Sequence, residues 1–196
     1  RFIRQAEQRI YNTVQFPTLR KNVTGTTSTN NKYLSAPGDF LAVYSMAVID
    51  ATGAYEYLLN KDVNFLRQSY PNPTTDTGIP KYYALFGPTV AGTSITDELS
   101  FILAPTPDAV YSVELHYYYY PQSIVDAGTS WLGDNFDTVL LYGSLVEAYT
   151  YMKGEQDVMA FYETKYKEAL AQAKRLGDGM ERQDAYRSGQ YRQAVT

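Results

Sequence analysis

The chain has 196 residues, enough for one domain or one core carrying an inserted subdomain, and long enough to bury about 70% of its unfolded surface without a disulfide or metal staple. It contains no cysteine, which excludes disulfides, thiolate zinc sites and cysteine nucleophiles and fits a protein made and used in a reducing cytoplasm. The net charge of -4 does not by itself point to nucleic acid, although it is uneven: residues 165–196 carry +3 and the remainder -7.

Residues 1–14 place Ile3, Ala6, Ile10 and Val14 at spacings of three and four, with Arg4, Glu7, Gln8 and Arg9 between them. This predicts an amphipathic helix, stopped near Phe16-Pro17. The opening Arg1-Phe2-Ile3-Arg4 belongs to that helix and not to a signal peptide. The chain does not open on methionine, and the native N-terminus is expected upstream. Residues 18–31, rich in Thr, Asn and Gly, predict an exposed strand or arm with a mobile tip at Gly25 to Asn31. Strand character resumes at Tyr33-Leu34, turns at Pro37-Gly38-Asp39 and continues from Phe40 to Ile49. Asp62 is placed to cap a short helix over Val63 to Gln68.

Pro71 to Pro80 is a polar loop, and Lys81 to Phe86 a strand. Leu99, Phe101 and Leu103 alternate with Glu98, Ser100 and Ile102. After Pro105-Thr106-Pro107-Asp108, residues Tyr111, Val113, Leu115, Tyr117 and Tyr119 alternate with Ser112, Glu114, His116 and Tyr118. The two runs predict a hairpin. Asp134 is expected to cap a helix with the apolar stripe Val139, Tyr142, Leu145, Val146 and Tyr149, ended by Gly154. A second helix from Glu155 to Leu176 carries Val158, Phe161, Tyr162, Tyr166, Ala169, Leu170 and Ala173, with Gly177 as its cap. No run of about 18 apolar residues predicts a membrane span.

The predicted fold class is α+β. An N-terminal helix and a C-terminal αα-hairpin (residues 1–16 and 121–177) form a helical bundle. A mostly antiparallel β subdomain (17–120) is inserted between them, and an extended C-terminal arm (178–196) comes last.

No constellation of nucleophile, base and orienting group appears, and the sequence predicts no enzyme. His116 is alone and sits in the polar register of a strand; there is no HExxH, GxSxG, Walker loop or GxGxxG, so no catalytic residue, cofactor or metal is expected. Asp134 and Asp137 are helix-start residues, not a glycosidase pair. Asn22-Val23-Thr24 is a formal glycosylation sequon without a secretory signal. Tyrosine is abundant, 20 residues in all, and its apolar ring with a polar tip suits surfaces buried by packing or assembly. Tyr117, Tyr118, Tyr119 and Tyr120 make both faces of one strand aromatic. One face packs on the core, and the other serves a second layer, a neighbouring subunit or, as the lesser alternative, a sugar platform. In the polar tail, Arg182, Tyr186, Arg187, Tyr191 and Arg192 fit either a solvated terminus or an arm that orders on a partner.

Several segments taken together resemble a family of tailed-phage head-to-tail adaptor (connector, neck) proteins. They are Tyr33-Leu34-Ser35-Ala36-Pro37-Gly38-Asp39-Phe40, Tyr57 to Asp62, Gly78 to Ala84, Pro105 to Ala109, Glu114 to Tyr118, Trp131 to Asn135, Leu141 to Gly143 through Met152 to Glu155, and Asp184-Ala185-Tyr186-Arg187. The resemblance spans nearly the whole chain, with a departure at the N-terminus, where such proteins carry more residues before the first helix. It implies a non-enzymatic virion protein, made in the host bacterial cytoplasm and seated in the neck. Its copies would form a homo-oligomeric ring, usually a dodecamer, between the portal protein and a tail or nozzle component. Genomic DNA would pass through the channel without sequence-specific binding, and no membrane is involved. On this resemblance the helical bundle sits against the portal and the β subdomain faces the next tail component. The arm residues Arg182, Tyr186, Arg187, Tyr191 and Arg192 contact the portal, and Tyr117 to Tyr120 lie at a subunit or tail interface. Another neck or tail-completion subunit is the alternative, and a carbohydrate-binding adsorption module a more distant one.

Overall fold

The computed structural model describes residues 1–87, 90–91, 94–95 and 99–187, with side chains over 1–87, 99–177 and at 179. The fold is α+β. The described helices are α1 (Phe2–Thr13), α2 (Val63–Ser69), α3 (Ile124–Ala127), α4 (Trp131–Asn135), α5 (Asp137–Met152) and α6 (Gln156–Arg187), with a short 3-10 turn at Pro17–Leu19. The described strands are β1 (Arg20–Thr26), β2 (Tyr33–Ser35), β3 (Phe40–Ile49), β4 (Tyr55–Tyr57), β5 (Leu59–Asn60), β6 (Tyr82–Phe86), β7 (Val90–Ala91), β8 (Ser94–Ile95), β9 (Ser100–Ala104) and β10 (Ser112–Tyr119). The chain divides into two compact units, residues 1–19 with 120–196, and residues 20–119.

In the helical unit, α1 buries Ala6 and Ile10 as its periodicity predicts, and Val14 closes it in an extended conformation. Tyr11 is buried beside them, while Ile3 remains exposed. Glu7, only 3% exposed, is also inside. Its carboxylate accepts the backbone N–H of Ile124 at 2.9 Å, which satisfies one of the donors that the first turn of α3 leaves open. Phe16, Trp131 and Phe136 form a ring cluster with centroids 5.1–5.6 Å apart. Tyr166, Ala169, Ala173 and Gly177 are the buried positions of α6 among its described side chains.

Three predicted helix ends are corrected. Asp134 does not cap α5: it lies within α4, whose cap is Ser130, with Oγ accepting from the Gly133 N–H at 3.0 Å. The left-handed residue that ends α5 is Lys153 (φ 52°, ψ 47°), not Gly154. A Cβ on Gly154 would stand 2.3 Å from the Tyr149 ring, so that glycine is there for space. Nor does Gly177 end α6. The helix continues to Arg187, so the expected extended arm is helical over 178–187; residues 188–196 lie outside the described residues. Gly177 is buried, and a Cβ there would meet the Gln15 carbonyl oxygen at 2.9 Å and Val14 Cγ1 at 3.2 Å. A glycine inside a helix costs about 1 kcal/mol relative to alanine; here it lets α6 close on the chain just after α1.

The β unit is built on two four-stranded sheets, β1-β10-β3-β4, antiparallel throughout, and β2-β9-β6-β5, in which β5 joins β6 in parallel. A short β7-β8 pair adds to them. Met46, Val48, Val113, Leu115 and Tyr117 of the first sheet pack with Tyr83, Phe101 and Leu103 of the second, closing over Phe40 and Leu58. The far side of the second sheet is covered by α2, whose Leu66 packs on Ala84, Ile102 and Ala104. Asp62 caps α2 as predicted, accepting from the Asn64 N–H at 2.9 Å. The predicted hairpin of residues 99–119 does not form. β9 pairs with β2 and β6, and β10 with β1 and β3, so the link between them crosses from one sheet to the other. The reason is burial. Every residue of β9 is buried on both faces, between the inner core and α2, whereas β10 keeps one face outward, as an outer sheet of a layered unit requires.

The Gly177 contact gives a pair of predictions of opposite sign. Gly177→Ala, with its Cβ against backbone, is expected to lower stability by about 1–3 kcal/mol. Gly179→Ala, where a Cβ meets nothing within 4 Å, is expected to raise it by about 0.5–1 kcal/mol. Urea unfolding followed by helical circular dichroism measures both.

Candidate interaction surface

Strand β10 sets out the site. Its inward residues Val113, Leu115 and Tyr117 are core, and its outward residues Glu114, His116 and Tyr118 share a face with Asn22 and Arg20 of β1. On the other side, β3 contains a register shift: His116 lies opposite Ser45 and Tyr117 opposite Val43, leaving Tyr44 without a partner. The extra residue turns the Tyr44 side chain onto the outward face, where its ring stands 5.1 Å from His116 and 6.0 Å from Tyr118. The Arg20 guanidinium lies over Tyr44, 4.9 Å from its centroid. Further along, Glu114 accepts from Asn22 Nδ2 at 2.9 Å and from the Tyr55 hydroxyl, a hydrogen bond that raises Tyr55 above the usual tyrosine range. Tyr55 stacks on Tyr57 at 6.2 Å. No described element of this unit covers the face: Tyr44 is 51% exposed, Tyr55 50% and Tyr57 67%.

This surface combines open rings with a carboxylate, an amide, an imidazole and a guanidinium, the mixture that protein interfaces favour at their centres and rims. It holds no nucleophile paired to a base. Among the described residues no group of three or more His, Cys, Asp or Glu is placed to hold a metal ion, and no helix is long and apolar enough to cross a membrane.

The four consecutive tyrosines part company. Tyr117 is 1% exposed and fills the core of its own unit, which removes it from any surface contact. Tyr119 packs against the same core, with the Lys21 ammonium 5.1 Å from its ring. Tyr118 lies on the outward face. Tyr120 is exposed in the helical unit, where its hydroxyl donates to Asn12 Oδ1. Of the tail residues, Arg182, Tyr186 and Arg187 fall on the last turns of α6, and Tyr191 and Arg192 lie outside the described residues. Tyr44, Tyr55, Tyr57 and Arg20 were not identified from sequence. The alternation Tyr55-Glu56-Tyr57 is a legible signal of an aromatic face, but the register shift that exposes Tyr44 has none.

Beneath the β2–β3 turn, Asp39 is held twice. The Tyr117 hydroxyl donates to Oδ1 at 2.7 Å and Lys21 Nζ to Oδ2 at 2.9 Å. Partial burial alone would raise the Asp39 carboxyl, but these two donors outweigh it and hold it below the ordinary aspartate range. Because the folded-state value is lowered, the stabilisation is present above the unfolded value, near pH 4, and is lost as pH falls through the folded value. Asp39→Asn is therefore expected to flatten the acid limb of the stability–pH curve below about pH 4. Tyr117→Phe should cost about 0.5–1.5 kcal/mol at pH 7. Urea midpoints across pH 3–7 read out both effects.

A family model described as SU10 adaptor protein matches residues 1–194, and so extends over both compact units. No curated protein matches the chain.

Proposed function

The chain belongs to the SU10 adaptor protein family, a phage adaptor family, and from that premise we propose that it is a non-enzymatic head-to-tail adaptor of a tailed-phage particle. As a phage adaptor it is a structural component of the virion that interacts with other virion components. In the finer reading, copies of the chain close into a ring, a dodecamer on the resemblance, seated in the neck between the portal and a tail or nozzle component. The ring extends the channel through which genomic DNA passes without sequence-specific contacts. The helical unit serves the portal side and the β unit the tail side. The portal contact is made by the C-terminal end of the chain, through Arg182, Tyr186, Arg187, Tyr191 and Arg192.

The observation that carries this reading is the match of one adaptor family across 194 of 196 residues. Two structural features support it. The outward face of the first sheet leaves three tyrosines half-exposed or more, which is a surface suited to assembly. In addition, α6 continues as helix beyond its last described buried contact at Gly177, which carries regular structure into the basic end of the chain. Many moderate contacts in a closed ring act together, so no single contact needs to be strong.

The test is truncation after Gly177. The shortened chain is expected to keep the unfolding transition of both units and to lose portal capture in a pull-down against the purified portal ring. Undiminished capture would remove the tail from the portal contact.

A further inference from the structure

Among the described residues, sheet β1-β10-β3-β4 ends in two strands paired on one side only, β1 at one edge and β4 at the other. Edge strands present unpaired N–H and C=O groups, and proteins normally blunt them with proline, bulges or free charges. β1 is a seven-residue edge without proline, and its register with β10 is unbroken from Arg20 to Thr26. Its lysine is no free guard, because Lys21 Nζ is bound to Asp39 at 2.9 Å. We propose that this edge is an intersubunit junction, in which β1 of one copy adds to β4 of the next and continues the sheet from subunit to subunit. The proposal rests on the ring reading given above and names the surface that would close it.

Three observations select this occupant. First, the strands of this sheet alternate in direction throughout and their number is even. Copies in the same orientation therefore meet with β4 antiparallel to β1, and the alternation carries on unbroken. That is a head-to-tail contact, the kind that closes into a ring. The second sheet lacks this property: β5 runs parallel to β6, and its ends β2 and β5 point the same way. Second, the junction supplies what the edge lacks. Tyr55 and Tyr57 project on the outward face with a cross-strand neighbour on the β3 side only, opposite Ile49 and Ala47. An added β1 would place Asn22, Thr24 and Thr26 on their face, and the threonines would give the aromatic–β-branched cross-strand pairs that stabilise sheets. Third, one carboxylate and one ammonium meet on the inner face. Glu56 faces the side opposite to Tyr55 and Tyr57, is exposed, and has no ion pair among the described residues. In the continued sheet it shares its face with Lys21, whose ammonium carries three N–H donors and gives one of them to Asp39 Oδ2.

Two measurements on the full chain decide the matter. In amide hydrogen exchange, assembled multimers compared with free subunits are expected to show residues 20–26 and 55–57 slowed by about tenfold or more, with β2 and β5 unchanged. Multimers whose β1 and β4 amides exchange as fast as in the free subunit would overturn the junction and leave the ring reading standing. Absence of multimers at any concentration, with or without portal, would overturn the ring reading and the junction with it. The second measurement uses the lack of cysteine in the sequence. Thr24 and Tyr57 end the same cross-sheet row, through Glu114 and Ala47. A Thr24→Cys, Tyr57→Cys chain, or the two-residue slip Thr24→Cys, Tyr55→Cys, should oxidise to a ladder of multimers while each single variant does not. A covalent dimer from Thr24→Cys alone would mean that two β1 edges meet about a two-fold axis, and would overturn the head-to-tail junction.

Discussion

Tyr117 is where the demands on the β unit meet. Its ring lies in the core between the two sheets, 5.9 Å from Phe40, and its hydroxyl reaches Asp39 at the turn that starts β3. Through Asp39 the same residue is tied to Lys21 on β1. One side chain thus joins the central strand, the edge strand and the turn. A slip of β10 by one residue would carry the tyrosine out of the core and bring His116 and Glu114 in. The burial of Tyr117 therefore fixes which residues face outward, and with them the composition of the exposed surface.

That surface and the family membership point the same way. An adaptor is defined by what it holds, and a protein that only holds needs shape, exposed rings and hydrogen-bonding groups, not a reactive cavity. The proposed sheet junction would put a covalently simple device, main-chain hydrogen bonding, at the contact that the proposed ring repeats. Side chains such as Tyr55, Glu56 and Lys21 then select the partner edge.

Much of this was legible in the residues. The spacing of Ile3, Ala6, Ile10 and Val14 located α1, although the helix ends at Thr13, short of the expected stop near Phe16-Pro17, and Ile3 stays exposed; Asp62 marked α2, because caps and periodicity are local properties. The inward and outward registers of β10 came from alternation alone. What failed was non-local. Residues 99–119 read as a hairpin because alternation says that two strands exist, not which neighbours they take. The covering of β9 on both faces decided that. Gly154 and Gly177 read as caps because glycine suits left-handed turns, whereas here both answer to crowding, by Tyr149 and by the Gln15 carbonyl. The candidate site was half legible: the tyrosine run pointed to the right strand, but the register shift at Tyr44 and the edge position of Tyr55 and Tyr57 depend on pairings that no local pattern encodes.

The continuity of α6 through Gly177 has a thermodynamic consequence. At 32 residues the helix is about 48 Å long. Its last ten residues, 178–187, are helical. A coil would surrender about 1–2 kcal/mol of conformational freedom per residue on being gripped; a segment that is bound as the helix it already forms surrenders less. More of each contact formed with it then appears as net affinity.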